Sequence, residues 1–202
     1  MDPSDLDWQL IISMLCIPGV KSLNSVLFVL TLASVFLAVS VESLIFILQL
    51  KGQKFSHWFG RNAFRVHTVI TGFFWALSFC LILLLQFKKH PHFHNSIVLK
   101  YTGLIVLISG MVIAIWGFCL LGVKRSFGLN FFEENVPIVR KSLYKTIKNP
   151  EQYGFWMAVL GFALFTQSLV NLVIAFEFII LMIPHMCVEN IPIKKRLFIP
   201  SD

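Results

Sequence analysis

Residues 149–182 read NPEQYGFWMAVLGFALFTQSLVNLVIAFEFIILM. The stretch contains two apolar runs, residues 155–165 and 169–182, separated only by Thr166, Gln167 and Ser168. Asn149-Pro150 favours a helix start, because proline suits the first helical position, where its missing N–H is not needed. A three-residue connection is typical of two antiparallel neighbouring helices. We therefore predict a helical hairpin whose two open ends lie on the same side of the protein.

The composition of the whole chain is that of an integral membrane protein. Of its 202 residues, 57% are hydrophobic and 13% are charged, and the mean hydropathy is +0.80. The formal net charge of +7 comes largely from Lys and Arg in the short links between apolar runs. Basic residues placed in this way indicate membrane topology rather than nucleic-acid binding. We expect no nucleic-acid partner.

Three further apolar runs precede the hairpin, at residues 24–50, 66–87 and 97–123. Each has the roughly 20 residues that a helix needs to cross the hydrocarbon core. With the hairpin they predict an all-α polytopic membrane bundle of about five transmembrane helices. We divide the chain into an acidic amino terminus with an interfacial segment (residues 1–23), a three-span membrane scaffold (residues 24–123), and a cytosolic link with the helical hairpin and a basic tail (residues 124–202).

The distribution of Lys and Arg predicts the orientation. If the amino terminus is outside or lumenal, the basic links at residues 51–65, 124–148 and 194–196 all lie in the cytosol. Both open ends of the hairpin and the carboxy terminus are then cytosolic, where a soluble cofactor can reach them. His90, His92 and His94 form a short run interrupted by Pro91, so we interpret this run as a solvated loop and predict no metal site.

Two features of the first and third runs predict contacts between helices. Glu42 is the one charged residue within the first run, and a carboxylate is costly against lipid, so we expect it to face a polar group on a neighbouring helix. Gly103, Gly110 and Gly117 are seven residues apart, which places them on one stripe of a helix. Such a stripe permits close helix packing, and it also permits a ligand to approach the backbone.

Aromatic and ionisable side chains lie near the open ends of the hairpin. Tyr153 and Trp156 are three residues apart and thus neighbours on one helix face, which suits a planar base or a cation. Glu177 lies inside the last apolar run, eight residues before His185 and roughly on the same face. Glu189 follows His185 by four residues at the other open end, although Pro184 should disturb that turn. These residues predict either a ligand site or a buried contact that holds the hairpin together, and the residues alone favour neither.

These features together resemble the integral-membrane methyltransferase superfamily, which includes isoprenylcysteine carboxyl methyltransferase, phosphatidylethanolamine N-methyltransferase and the NnrU-like proteins. Lys148-Asn149-Pro150 stands where that family has Arg-His-Pro or Asp-Asn-Pro. Tyr153-Gly154 stands where it has an aromatic residue and a glycine, and Glu189 stands where it has two consecutive glutamates. The resemblance covers about the last third of the chain, together with the multi-span layout before it.

The chain departs from the family pattern at three places. Gln152 replaces a common tyrosine two residues after the proline. The second acid of the pair is missing, since Val188 and Asn190 flank Glu189. Ile108 replaces one glycine of the Gly-x-Gly of the phospholipid enzymes, so that only Gly110 matches.

The resemblance implies a site for S-adenosylmethionine at the cytosolic ends of the hairpin. It implies these cofactor-binding residues: Asn149, Pro150, Tyr153, Gly154, Trp156, Gly110 and Glu189. It also implies catalytic roles for Glu189, His185 and Glu177. The implied acceptor is a membrane lipid or a lipidated small molecule or protein that enters from the bilayer. We expect the Asn149-Pro150 turn and Glu189 to face each other across a cavity open to the cytosol.

Two alternatives share this architecture. The sterol-reductase relatives have a comparable carboxy-terminal region and use NADPH, although their chains are longer and have extra spans. The other alternative is a non-catalytic membrane protein that retains the fold, with which the single acid Glu189 is consistent. Binding of S-adenosylmethionine, of NADPH or of neither separates the three hypotheses.

Overall fold

The computed structural model describes residues 23–88, 92, 96–133, 139 and 142–197. Its helices, in chain order, are α1 (Leu23–Leu50), α2 (Lys54–Phe59), α3 (Ala63–Gln86), α4 (Ile97–Leu121), α5 (Val123–Ser126), α6 (Leu129–Phe132), α7 (Pro150–Thr166) and α8 (Leu169–Leu197). Short 3-10 turns lie at Gly60–Asn62 and Ser142–Lys145. Within the described residues the regular structure is helical, apart from one isolated backbone pairing of His92 with Ser168. The predicted all-α class is confirmed.

The five long helices form one bundle in which chain neighbours run antiparallel. Helix α1 packs against α3 and α8, α8 packs against α7, and α7 packs against α4. The order across the bundle is therefore α3, α1, α8, α7, α4. The end of α1, the start of α3, the end of α4, the start of α7 and the end of α8 lie together, and we call this the site end.

Helices α4 and α7 pack with their backbones in direct contact. A Cβ atom added at Gly110 would lie 2.4 Å from the backbone N of Ala158, and one added at Gly154 would lie 2.4 Å from a backbone N of α4. Gly103 and Gly117 face α7 in the same way. No side chain fits at such distances. The seven-residue spacing therefore predicted close helix packing correctly, and we call this contact the glycine seam.

In the described part of the chain, four helical segments are long and apolar enough to cross a membrane: Ser25–Leu50, Lys54–Gln86, Ile97–Leu121 and Leu169–Ile191. Helix α7 has 17 residues and is about 25 Å long at 1.5 Å per residue, which is less than the hydrocarbon thickness of about 30 Å. The predicted number of five spans is therefore not confirmed. Helix α7 instead lies along α4 through the glycine seam.

Buried polar contacts connect neighbouring helices at several levels of the bundle. The indole N–H of Trp75 on α3 donates to the Glu42 carboxylate at 3.1 Å, which confirms the predicted polar partner on a neighbouring helix. At the end of the bundle opposite to the site end, Gln86 and Asn171 exchange two amide hydrogen bonds of 3.0 Å. These bonds join the end of α3 to the start of α8 and help to fix the position of α8 along α3.

Some predicted features lie outside the described residues. They are the interfacial segment within residues 1–23, and His90 and His94 of the histidine run. His92 is described and is exposed.

Candidate functional site

The start of α7 places the first polar side chain of the site. Pro150 occupies the first helical turn, as Asn149-Pro150 predicted. The side chain of Asn149 makes no capping bond to the helix that it precedes. It donates instead from Nδ2 to Oε2 of Glu189 at 3.3 Å. The start of α7 and the end of α8 are therefore joined by a side-chain contact.

Gln152 supplies a second amide on the same face of α7. Its Nε2 donates to the same Oε2 of Glu189, and its side chain is buried. In the sequence Gln152 stands out only as a departure from the family tyrosine. Its spacing of three residues from Asn149 is the signal that places the two amides on one helix face.

Glu189 lies near the carboxy-terminal end of α8. The helix continues from Leu169 to Leu197, so Pro184 does not end it. The side-chain amides of Asn149 and Gln152 both donate to Oε2 and not to the second oxygen, Oε1. The turn and Glu189 meet in direct contact, not across the predicted gap, because a carboxylate removed from water needs donors.

His185 lies one turn before Glu189 and is held by α1. Its Nδ1 is 2.9 Å from Oγ of Ser43. The Ser43 hydroxyl donates its own proton to the carbonyl of Val39 at 2.7 Å, so it accepts from His185, and Nδ1 carries the N–H. In the neutral imidazole the lone pair then lies on Nε2. This contact fixes the tautomer that a base acting through Nε2 requires.

The link after α4 attaches to the site end by side chains that the sequence analysis missed. Ser126 donates to Oε2 of Glu151 at 3.1 Å, and the Tyr144 hydroxyl donates to the carbonyl of Gly117 at 3.4 Å. Burial, and the nearby carboxyl groups of Glu151 and Glu189, raise the pKa of Tyr144 above its ordinary value. Tyr144 therefore remains a neutral donor at physiological pH. No short-range sequence signal indicates these contacts, since Ser126 and Glu151 are 25 residues apart.

Aromatic rings close the site end on the side of α1 and α3. Phe46 stacks on Phe131 of the link with ring centroids 3.9 Å apart, and its ring also contacts His67 and His185 at 5.1 and 5.7 Å. Nε2 of His67 is 3.1 Å from the carbonyl of Phe127. The link therefore packs onto the bundle and bounds the site.

Glu177 lies away from this cluster. It precedes Glu189 by twelve residues of the same helix, which is about 18 Å along the axis at 1.5 Å per residue. The carboxyl is partly buried, and its Oε2 has no hydrogen-bond partner among the described residues. Its catalytic role stays a prediction.

The other predicted cofactor residues divide into two groups. Tyr153 and Trp156 are in contact, with ring centroids 5.3 Å apart and an interplanar angle of 75°. Gly110 and Gly154 belong to the glycine seam, where the facing helix occupies the space beside their Cα atoms. Helix packing explains both glycines, and their contact with a ligand stays a prediction.

One comparison with known proteins gives a match. Residues 98–197 match the family model described as phospholipid methyltransferase. The matched region begins in α4 and ends with α8, so it contains the glycine seam, Asn149, Gln152, His185 and Glu189. Neither the curated proteins nor the solved structures give a match to the chain.

Proposed function

Because residues 98–197 belong to the phospholipid methyltransferase family, we propose that this membrane protein transfers a methyl group from S-adenosylmethionine to a lipid or lipidated acceptor. The family match supports the reaction class and a lipid substrate. The residues at the site end support a place for the methyl donor, as follows.

The observation that carries the proposal is the Glu189 carboxylate held by Asn149 and Gln152. Two amides fix Oε2, which leaves Oε1 to attract a cation, and the methyl donor carries a positive sulfonium. Tyr153 and Trp156, on the same face of α7 as the two amides, add aromatic rings to which a sulfonium is also drawn. The Glu189 carboxylate and the two aromatic rings therefore suit a cationic cofactor.

When bound, S-adenosylmethionine supplies an electrophilic methyl group. The chain has to hold the two reactants in line and to exclude water from them. His185, with its lone pair on Nε2, accepts a proton from an amine or thiol acceptor. An acceptor carboxylate needs no base. Glu177, within the membrane-spanning part of α8, is the second predicted base.

Binding to the purified protein in nanodiscs tests the proposal. We expect saturable binding of labelled S-adenosylmethionine and no saturable binding of NADPH. Glu189→Ala should abolish the binding of S-adenosylmethionine. The control is Asn190→Ala, because the Asn190 amide donates to the Met186 carbonyl of its own helix at 2.7 Å, and this variant should bind normally.

Saturable binding of NADPH would instead support the reductase alternative, and binding of neither compound would support a non-catalytic protein. The acceptor is sought in lipid extracts prepared with and without the protein. We expect a lipid that gains the mass of one methyl group only when the active protein is present.

A further inference from the structure

The side-chain amide of Gln152 has a fixed orientation. Its NH2 group donates to the Glu189 carboxylate, and a carboxylate only accepts hydrogen bonds. Turning the amide over would place two acceptor oxygens against each other. Oε1 of Gln152 is therefore on the side of the amide that faces away from Glu189 Oε2, although the amide itself lies beside the Glu189 side chain.

Two buried polar atoms on this face of α7 have no hydrogen-bond partner among the residues that the structure describes. Gln152 is only 7% exposed, and its Oε1 has no donor among the described residues. One turn further along the same face, Nε1 of Trp156 is buried and has no acceptor within the same part of the chain. Buried polar groups in proteins are nearly always paired. An acceptor and a donor four residues apart are thus left for a ligand.

The two atoms require a ligand of particular chemistry. An acceptor oxygen beside a carboxylate suits a cationic group that has N–H donors. The indole N–H one turn away suits an anionic oxygen. A zwitterion with a primary ammonium group and a neighbouring anionic oxygen has both. Such a zwitterion occurs at the α-amino-acid end of S-adenosylmethionine and in the head group of an ethanolamine phospholipid.

We propose that Gln152 Oε1 and Trp156 Nε1 form a two-point site for a zwitterion, and that this zwitterion is the α-amino-acid end of the methyl donor. Gln152 accepts from the ammonium group, and Trp156 donates to the carboxylate. The proposal rests on the proposed function, which places the sulfonium beside Glu189. The amino-acid end is joined to that sulfur by a short chain, so it remains within about one helical turn of it.

Three nucleosides test the assignment by equilibrium binding to the full-length protein in nanodiscs. S-adenosylmethionine has the sulfonium and the amino-acid end, S-adenosylhomocysteine has only the amino-acid end, and 5′-methylthioadenosine has neither. Gln152→Met and Trp156→Phe should each weaken the binding of S-adenosylmethionine and of S-adenosylhomocysteine about tenfold. A tenfold change corresponds to the loss of one hydrogen bond to a charged group. Binding of 5′-methylthioadenosine should not change, which also shows that the variants are folded.

A loss of affinity for S-adenosylhomocysteine identifies the contact with the amino-acid end, because this nucleoside has no sulfonium that Glu189 or an aromatic ring could attract. If Gln152→Met acted only through Glu189, S-adenosylmethionine alone would lose affinity, because only it carries the sulfonium; that result overturns the role of Gln152. Trp156→Phe does not alter the bonds to Glu189, and its matched control is Trp116→Phe, a change on the exposed face of α4 that should have no effect.

A second titration distinguishes the source of the zwitterion. Wild type and both variants are titrated with ethanolamine phospholipid in mixed micelles without any nucleoside. We expect the same lipid affinity for all three proteins. Weaker lipid binding by the variants, with unchanged nucleoside binding, would assign the site to the head group and overturn the assignment to the methyl donor. Unchanged binding of every ligand would show that the two atoms bind only water.

Discussion

Two carboxylates inside the bundle obtain their hydrogen-bond donors in different ways. Glu42 accepts from the indole of Trp75 on the adjacent helix, whereas Glu189 accepts from two amides on one oxygen. Glu42 is therefore held within a helix-to-helix contact. Glu189 instead joins the start of α7 to the end of α8 at the site end, and this position is the reason why we propose it, rather than Glu42, as a binding residue.

Removal of the Glu42 acceptor should destabilise the protein without removing the site. Glu42→Ala leaves the Trp75 indole N–H without an acceptor in the bundle, and we expect a loss of about 1–3 kcal/mol in the free energy of unfolding. Glu42→Gln retains an acceptor oxygen of the same shape and should lose less. Unfolding in detergent micelles followed by Trp fluorescence measures both. Equal stability of Glu42→Ala and wild type would contradict a structural role for this bond.

Removal of the Ser43 hydroxyl should allow His185 to adopt either neutral tautomer. In wild type the Nδ1–H form should predominate, because Ser43 can only accept from it. In Ser43→Ala we expect a mixture of both neutral tautomers. The 15N chemical shifts of the imidazole nitrogens measure the ratio. Ser34→Ala is the control, since the Ser34 hydroxyl donates to the carbonyl of Thr31 in its own helix. An unchanged ratio in Ser43→Ala would refute the assignment.

The sequence indicates part of the site at this scale. Asn149, His185 and Glu189 are recognisable because they flank an apolar hairpin whose open ends must meet. Ser43 is not recognisable, since it lies 142 residues from His185 and only the packing of α1 on α8 brings them together. Gln152 resembles an ordinary surface residue of a first helical turn until the partner of its amide is known.

At the scale of single elements, the close packing at the glycine seam predicts that Gly110→Ala destabilises the protein. Gly110→Ala places a Cβ atom 2.4 Å from a backbone nitrogen of α7, so the two helices have to separate. We expect a loss of about 1–3 kcal/mol in stability, as for other overpacked sites. The matched control is Gly72→Ala in α3, where an added Cβ atom meets nothing within 4 Å. Gly72→Ala should be neutral or slightly stabilising, because alanine is the better helix former. Similar stability of the two variants would exclude close packing at Gly110.

Helix positions were more predictable than helix ends. The third apolar run predicted residues 97–123 and the helix occupies Ile97–Leu121, because a continuous apolar stretch of that length has few other stable states in a membrane. Helix α8 instead runs through Pro184 to Leu197. A proline inside a membrane helix is tolerated when neighbouring groups satisfy the freed carbonyl, and sequence alone does not show those neighbours.

For the whole molecule, the placement of the site end in the cytosol is a testable prediction. We use a variant in which all four cysteines are replaced by serine. Lys54→Cys lies in the link at the site end, and Lys88→Cys lies at the opposite end of the bundle. In intact cells or sealed vesicles with the outer face exposed, a membrane-impermeant maleimide should label only Lys88→Cys. After permeabilisation it should label both, and the reverse pattern would invert the orientation.

The order of helices across the bundle was not predictable. Apolar lengths determine which segments enter the membrane, but they do not specify that α1 lies between α3 and α8. That order depends on side-chain pairs far apart in the chain, such as Glu42 with Trp75 and Ser43 with His185. The glycine stripe predicted that α4 packs closely, and the structure identifies α7 as its partner.

The contact between α4 and α7 also restricts the path of a lipid. The two backbones touch without intervening side chains, so an acyl chain cannot pass between them. A lipid acceptor of the kind proposed above would therefore have to reach the site end along a surface other than the contact between α4 and α7.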